Sequence, residues 1–333
     1  MTGVRWLAAL MLVCGAQAFA AEPSHSQSAA EALSLLQRMS QAARGLNYSG
    51  VFVYQVNGRT ETSRITHFSD ATGEQEKLET LDGPVREVIR IKDEVRCYLP
   101  NDKMVVLDRA GSVRFPGRVI SMVSALPEHY EMRVGSPVRI AGRDAVQLSL
   151  FPRDEFRYGY KLWADKETGL LLRARLVNAK GDVLEHFGFS EISLNITPDK
   201  EKVRSRYADQ TDWVVVNARG GDVRPDDVQW TFKGVPPGFR QVSSIRRPLR
   251  KDGAEAYHAV FSDGLASISV FVEPAVESRG VTPQPSNSGP IGIYKRMYAS
   301  QMITAIGEVP MAALQAAADG VSQRGSKPAR SVR

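Results

Sequence analysis

Cysteine is almost missing from this 333-residue chain: there are two, Cys14 and Cys97. Cys14 sits inside an N-terminal stretch with one positive charge, Arg5, an apolar run from Trp6 to Val13, and Ala18-Phe19-Ala20 as a small-residue cleavage site, so the first 20 residues read as a secretory signal. Cys14 follows Val13 and not a small residue, which argues against a lipoprotein and for cleavage at Ala20. The mature chain keeps Cys97 alone, so no internal disulfide can form and the fold must rest on its core. Cys97 itself is read as a small buried hydrophobe, with a reactive or intermolecular thiol as the other option. Long apolar runs are also missing. The leader's run is too short to span a bilayer, and the chain turns polar just after Ala21.

Catalytic signatures are absent as well. The five histidines, His25, His67, His129, His186 and His258, never stand three or four apart, so no helix face presents a metal pair, and no metal or cofactor is expected. H-E-x-x-H, G-x-S-x-G, G-x-x-x-x-G-K-[ST] and G-x-G-x-x-G do not occur. A triad assembled from distant positions would escape such a search, but nothing in the sequence points to an enzyme. Without the leader the chain carries 42 basic and 37 acidic side chains. In an exported protein that balance points to acidic protein segments or anionic lipid headgroups and not to nucleic acid.

What is present is mostly strand pattern. Ser28 and Glu31 form a capping box before an apolar stripe of Ala32, Leu36, Met39, Ala43 and Leu46, which predicts a helix beginning at Ser28 and packing on a sheet. From Tyr48 to Ile196 short period-two runs alternate with turns such as Asn57-Gly58, Gly142-Arg143 and Lys180-Gly181, which predicts a mostly antiparallel sheet. Ile120 and Val123 suggest a second short helix over Gly117 to Leu126. Several strands are apolar or aromatic on both faces, among them Val51/Val53 against Phe52/Tyr54, and Tyr160/Leu162 against Trp163. Either both faces are covered or one lines an apolar cavity, so Phe52, Tyr54, Tyr98, Tyr160, Trp163 and Phe187 are candidate lipid contacts.

The expected organisation is a signal over 1–20, a large β domain over 21–199, a linker over 200–222 whose only apolar run is Trp213 to Val216, a smaller α+β domain over 223–322, and a basic tail over 323–333. Pro274 to Pro290, with four prolines, is expected to be a mobile loop. The small domain has two marked features. Asp263-Gly264 is a tight-turn signal ahead of Ile268, Val270 and Val272, which alternate with Ser267, Ser269 and Glu273. Arg240, Arg246, Arg247, Arg250 and Lys251 occur with no acid between them, either a solvated edge or a dock for carboxylates and phosphates. The four arginines, with Phe239 and Tyr298 as apolar anchors, are the candidate partner contacts.

The stretches Tyr48-Ser49-Gly50-Val51-Phe52-Val53-Tyr54, Pro84 to Arg90, Arg96-Cys97-Tyr98-Leu99-Pro100, Pro152-Arg153-Asp154 with Arg157-Tyr158-Gly159-Tyr160, Thr168 to Leu172, Pro236-Pro237-Gly238-Phe239, Ser262 to Pro274 and Gly307-Glu308-Val309-Pro310 together resemble the RseB/MucB family of periplasmic sigma-E regulators. The resemblance covers nearly the whole mature length, except Pro274–Pro290 and the tail after Val321. It implies a mainly β fold with α elements: a large lipoprotein-carrier-like domain, a half-open antiparallel barrel with covering helices around an apolar cavity, plus a smaller α+β domain. It implies no enzyme and no cofactor. The implied role is periplasmic: binding the periplasmic domain of a membrane-spanning anti-sigma factor, shielding it from proteolysis, and release by lipopolysaccharide or another amphiphile. A periplasmic lipid or lipoprotein carrier is the alternative, and a homodimer is left open.

Overall fold

The computed structural model describes residues 25–109, 123–248, 255–275 and 285–325. The large domain begins with α1 (His25–Gly45) and continues as β1 (Tyr48–Val56), β2 (Arg59–Asp70), β3 (Gly73–Thr80), β4 (Glu87–Ile91), β5 (Glu94–Leu99) and β6 (Met104–Arg109). After the short α2 (Leu126–His129) come β7 (Tyr130–Ile140), β8 (Arg143–Pro152), β9 (Gly159–Asp165), β10 (Leu171–Val177), β11 (Val183–Leu194) and β12 (Val214–Asn217). These strands make one sheet in the order β12-β6-β5-β4-β3-β2-β1-β11-β10-β9-β8-β7. Its ends, β12 and β7, do not pair, so the sheet is half open and not a closed barrel. All its pairs are antiparallel except β12 with β6.

The small domain contains β13 (Gly221–Asp222), β14 (Trp230–Phe232), β15 (Arg240–Pro248), β16 (Glu255–Ser262), β17 (Ser267–Pro274), β18 (Ser286–Ser288), β19 (Ile291–Tyr298), β20 (Gln301–Gly307), α3 (Met311–Asp319) and β21 (Val321–Gln323). Seven of these strands form a sheet ordered β13-β15-β16-β17-β20-β19-β18, and β14 pairs with β21. The architecture is mainly β with few helices, in two large sheets and the two-stranded β14–β21 pair.

Each sheet gathers its core as the pattern predicts. Ile268, Val270 and Val272 are buried in alternation along β17 and join Ala313, Leu314, Ala317 and Ala318 of α3 in one cluster. Alanine-rich α3 lies close because its alanines are good helix formers with little bulk. At its end Gly320 abuts Gly234: a Cβ on Gly234 would come 1.9 Å from the Ala316 carbonyl oxygen. In the large domain Ala32, Leu36 and Met39 of α1 pack with Leu148, Leu150, Tyr160 and Leu162.

Several expectations change. The first helix begins at His25, so Ser28 lies within it and is not its cap. The second short helix is Leu126–His129, later than expected, with Pro127 in its first turn, and residues 117–122 lie outside the described residues. Two predicted strands fuse into β7 across an irregularity between Val134 and Pro137, and two into β11, where the pairing skips Ser190 opposite Val51 and Phe52. The single run Met297–Ile306 is a hairpin, β19 to β20, with Ala299 at φ 52 in its turn. No Gly, Pro, Asn or Asp advertises that turn, which is why the pattern missed it. Within Pro274–Pro290, Ser286–Ser288 forms β18, while residues 276–284 lie outside the described residues.

The stretch 200–222 read as a linker is largely built into the large domain. Arg206 donates to Glu87 at 2.7 Å, Tyr207 stacks on Trp213 at 5.3 Å, and both rings pack on Ile89, Tyr98 and Val105. Val214 to Asn217 then adds β12 to the sheet edge. Burial opposes ionisation of Glu87, but hydrogen bonds from Arg206 and Ser205 and the charge of Lys77 hold its carboxyl below the usual range.

Candidate functional site

The two sheets meet at the turn between β16 and β17. Asp263 is 1 % exposed and divides its oxygens between two tasks. Oδ1 accepts from the backbone N–H of Leu265 at 2.9 Å and of Ala266 at 2.8 Å, an Asx-type turn that fixes the loop. Oδ2 accepts from Arg157 Nε at 2.7 Å and from the Tyr130 hydroxyl at 3.2 Å, both in the large domain. The remaining Arg157 nitrogens reach the Asp154 carboxylate and the Pro237 carbonyl. The guanidinium lies 4.7 Å over the Phe239 ring.

Arg157 and Asp263 side chains have 0 % exposure, so every charge here is matched within the protein. Leu265, next in the turn, packs into the large-domain cluster with Tyr130 and Leu150. Burial, first of all, pushes the Tyr130 hydroxyl well above its ordinary range, so it stays a donor. Pro152-Arg153-Asp154 with Arg157, Pro236 to Phe239, and Ser262 to Pro274 are far apart in sequence and converge on this clasp. The motifs were legible individually, but their meeting was not.

A second seam runs beside β6. Arg247 Nη2 donates to Asp108 Oδ2 at 3.2 Å, and Arg109 reaches Asp222 at 2.5 Å and the Gly220 carbonyl at 3.3 Å. Behind it His258, 7 % exposed, stacks on Phe271 with ring centroids 4.0 Å apart, and neither ring nitrogen has a hydrogen-bond partner. Burial, then the Arg247 charge, brings its pKa down to about 4. A third contact is Asn57 Nδ2 to Ser288 Oγ at 3.3 Å.

The predicted partner residues do not form one exposed basic patch. Arg240 and Arg246 are exposed on β15. Arg247 is held by Asp108, and Phe239 is 7 % exposed beneath Arg157, so neither offers an open surface. Tyr298 is half-buried, packed edge-on to Trp230 at 6.4 Å with Arg296 5.4 Å over its ring. Arg250 and Lys251 lie outside the described residues. The run without an intervening acid in sequence is not without acids in space. Arg246 borders a cleft of about 660 Å³ together with Asp222, Asp226, Asp227 and Glu255. A second cleft, of about 500 Å³, lies beside it along Val223, Val228, Trp230 and Val242.

The predicted lipid contacts are divided among packed groups. Phe52 and Phe187 meet at 4.9 Å and share an aromatic cluster with Phe189, with Tyr54 at its margin. Tyr160 packs beneath α1, and Tyr98 with Ile89 and Val105. Trp163 points to the opposite face of β9 from Tyr160, where Arg173 and Arg175 lie over its ring. Five of the six, all but Tyr54, are less than 9 % exposed. Among the described residues no group of His, Cys, Asp and Glu could hold a metal ion, and no helix is long and apolar enough to cross a membrane.

Comparison with known proteins gives matches across both sheets. Residues 31–207 match the model of the MucB/RseB N-terminal domain and residues 224–322 that of the MucB/RseB C-terminal domain. The chain is 33 % identical over 290 residues to the sigma factor AlgU regulatory protein MucB of Pseudomonas aeruginosa, covering 85 % of this chain and 88 % of that one. It is 29 % identical over 304 residues to the sigma-E factor regulatory protein RseB of Escherichia coli K12, covering 91 % and 93 %. Among solved structures, MucB in complex with MucA(peri) is similar at 29 % identity and a TM-score of 0.68, over 89 % of this chain and 100 % of that one. The Pseudomonas aeruginosa MucA/MucB complex gives 0.70 over the same shares.

Proposed function

The chain belongs to the MucB/RseB family of regulatory, non-enzymatic proteins, and from that premise we propose that it binds the periplasmic segment of a membrane-spanning anti-sigma factor. In this reading it is exported, works in the periplasm, shields the segment from the protease that begins its degradation, and releases it when lipopolysaccharide or a related amphiphile binds. The observation that carries the reading is the likeness, over 89 % of the chain, to a MucB solved with MucA(peri).

Arg240 and Arg246, exposed on β15, and Tyr298 are the contacts we assign to the partner, with Arg250 as part of the same basic run. Phe239 and Arg247 act from behind, by holding the junction that sets how β15 is presented. Phe52, Tyr54, Tyr98, Tyr160 and Phe187 are the acyl-chain side of the proposal. In this reading lipid enters as α1 lifts from Tyr160 and Leu162, a change that passes to Tyr130 in the same cluster and hence to the clasp. A lipid carrier would use the same interior but has no need of the second sheet.

The test uses the mature full-length chain and a synthetic anti-sigma periplasmic segment. Lipopolysaccharide is titrated into the preformed complex while cleavage of the segment by its protease is followed. Each tenfold loss of segment affinity caused by lipid must be matched by a tenfold loss of lipid affinity caused by segment, about 1.4 kcal/mol of coupling. A ternary complex that keeps both ligands at full affinity, with the segment still protected, removes the release mechanism. Failure of the segment to bind at all removes the whole reading.

A further inference from the structure

On the sheet face opposite α1, adjacent strands bring four basic side chains together. Lys161 of β9, Arg175 of β10 and His186 of β11 stand in one cross-strand row, and Arg173 of β10 stands beside Trp163 and Gly188 in the next. Among the described residues neither Lys161, Arg173 nor Arg175 has an ion-pair partner. The two guanidiniums lie 5.7 and 5.4 Å over the Trp163 ring, which is 6 % exposed. Arg173 Nε is buried with no acceptor.

The donors converge on one place. Arg175 Nε donates to His186 Nδ1 at 3.3 Å, so the neutral ring carries its proton on Nε2. A Cβ on Gly188 would sit 3.2 Å from His186 Nε2 and 3.6 Å from Arg173 Nε. The missing side chain of buried Gly188 therefore leaves a narrow notch bordered by His186 Nε2 and Arg173 Nε, with Arg175 alongside. A buried donor without an acceptor is costly, and two guanidiniums without a carboxylate create a positive potential that an anion would relieve.

We propose that this notch is an oxyanion site for a phosphate group, held by Arg173 Nε and His186 Nε2 with Arg175 and Lys161 supplying charge. A phosphate fits better than a carboxylate because two arginines match its double charge and its several oxygens match donors arriving from three strands. Burial first, then Arg175 and Arg173, hold the His186 pKa below its usual value. Burial and Arg175 likewise lower that of Arg173. The groups facing His186 are Arg175 and Arg173 from β10 and the uncharged Gln55 from β1, so a bound dianion must raise the His186 pKa. The site is independent of the anti-sigma reading.

The experiment follows the His186 ring signals by NMR on the full mature chain at low salt, titrating inorganic phosphate, then acetate at matched ionic strength. Vesicles of phosphatidylcholine with and without phosphatidic acid are tested by co-sedimentation. The expected result is saturable phosphate binding that raises the His186 pKa, with acetate much weaker. Gly188→Ala, which fills the notch and removes no charge, should weaken phosphate at least tenfold, and Arg173→Gln should do the same. Binding of phosphatidic acid vesicles but not of free phosphate assigns the group to a lipid, and the reverse assigns it to a soluble ligand. No saturable shift with either source, acetate equal to phosphate, or undiminished binding in a folded Gly188→Ala or Arg173→Gln overturns the site.

Discussion

Removing the Asp263 carboxylate should expose how much the clasp contributes, because the structure separates its two functions. In Asp263→Asn the amide oxygen can still accept from the Leu265 and Ala266 N–H groups, so the turn survives while Arg157 loses a buried counter-charge. Stripping one partner from a buried ion pair costs about 3–5 kcal/mol. Asp154 and the Pro237 carbonyl stay on Arg157, which places the expected loss near the lower end, about 3 kcal/mol. Asp263→Ala also leaves two backbone donors without acceptors, adding about 1 kcal/mol each, for about 5 kcal/mol in all. Arg157→Met combined with Asp263→Asn should cost clearly less than the sum of the single changes, by about 2 kcal/mol, since neither charge is then stranded. Urea unfolding of the mature chain, read by tryptophan fluorescence and by circular dichroism, gives all four values. Asp263→Ala within about 1 kcal/mol of the parent, or additive single and double variants, would refute the claim that this pair joins the domains.

Other outcomes follow from single sites. His258 titrates near 6.5 in the unfolded chain but only at about 4 when folded, so its contribution is complete above pH 6.5, falls as the pH drops through that window, and is gone below 4; the loss is about 3 kcal/mol, and His258→Phe should flatten that part of a stability-against-pH curve. Gly234→Ala forces a Cβ against the Ala316 carbonyl and should cost about 3 kcal/mol, measured by thermal unfolding, with no loss marking α3 as free to move aside. Burial pushes the Cys97 thiol up against a smaller pull from Arg86, so Cys97 should react with a disulfide reagent at pH 8 more slowly than a free thiol, and faster reaction would restore the reactive reading.

How far the sequence carried depends on whether a feature is local. The β17 alternation and the α1 stripe were legible because each is set by side-chain period within one element, and Ile268, Val270, Leu36 and Met39 are buried accordingly. The β19–β20 turn was not, since Ala299 takes its positive φ from the pairing on either side and not from its own preference. Nor was β12: Val214, 60 % exposed, and Val215, 61 % exposed, gain their strand conformation from Met104 to Leu107, more than a hundred residues earlier.

Charge was the hardest quantity to read along the chain. No acid lies within Arg240 to Arg250, but the antiparallel sheet and the domain junction bring carboxylates near Arg246 and Arg247. Arg247 finds Asp108, and Arg246 finds a cleft bordered by four carboxylates. The opposite happened on the other sheet. Arg173 and Arg175 are unremarkable within Leu170 to Val177, yet the folded pairing of β9, β10 and β11 sets them beside Lys161 and His186, with no ion-pair partner among the described residues. Among the described residues, positive charge without a paired carboxylate is thus set by strand register on the large sheet as well as by the run on β15, where Arg240 stays exposed. The site proposed around Gly188 is therefore a second place for an anion besides β15.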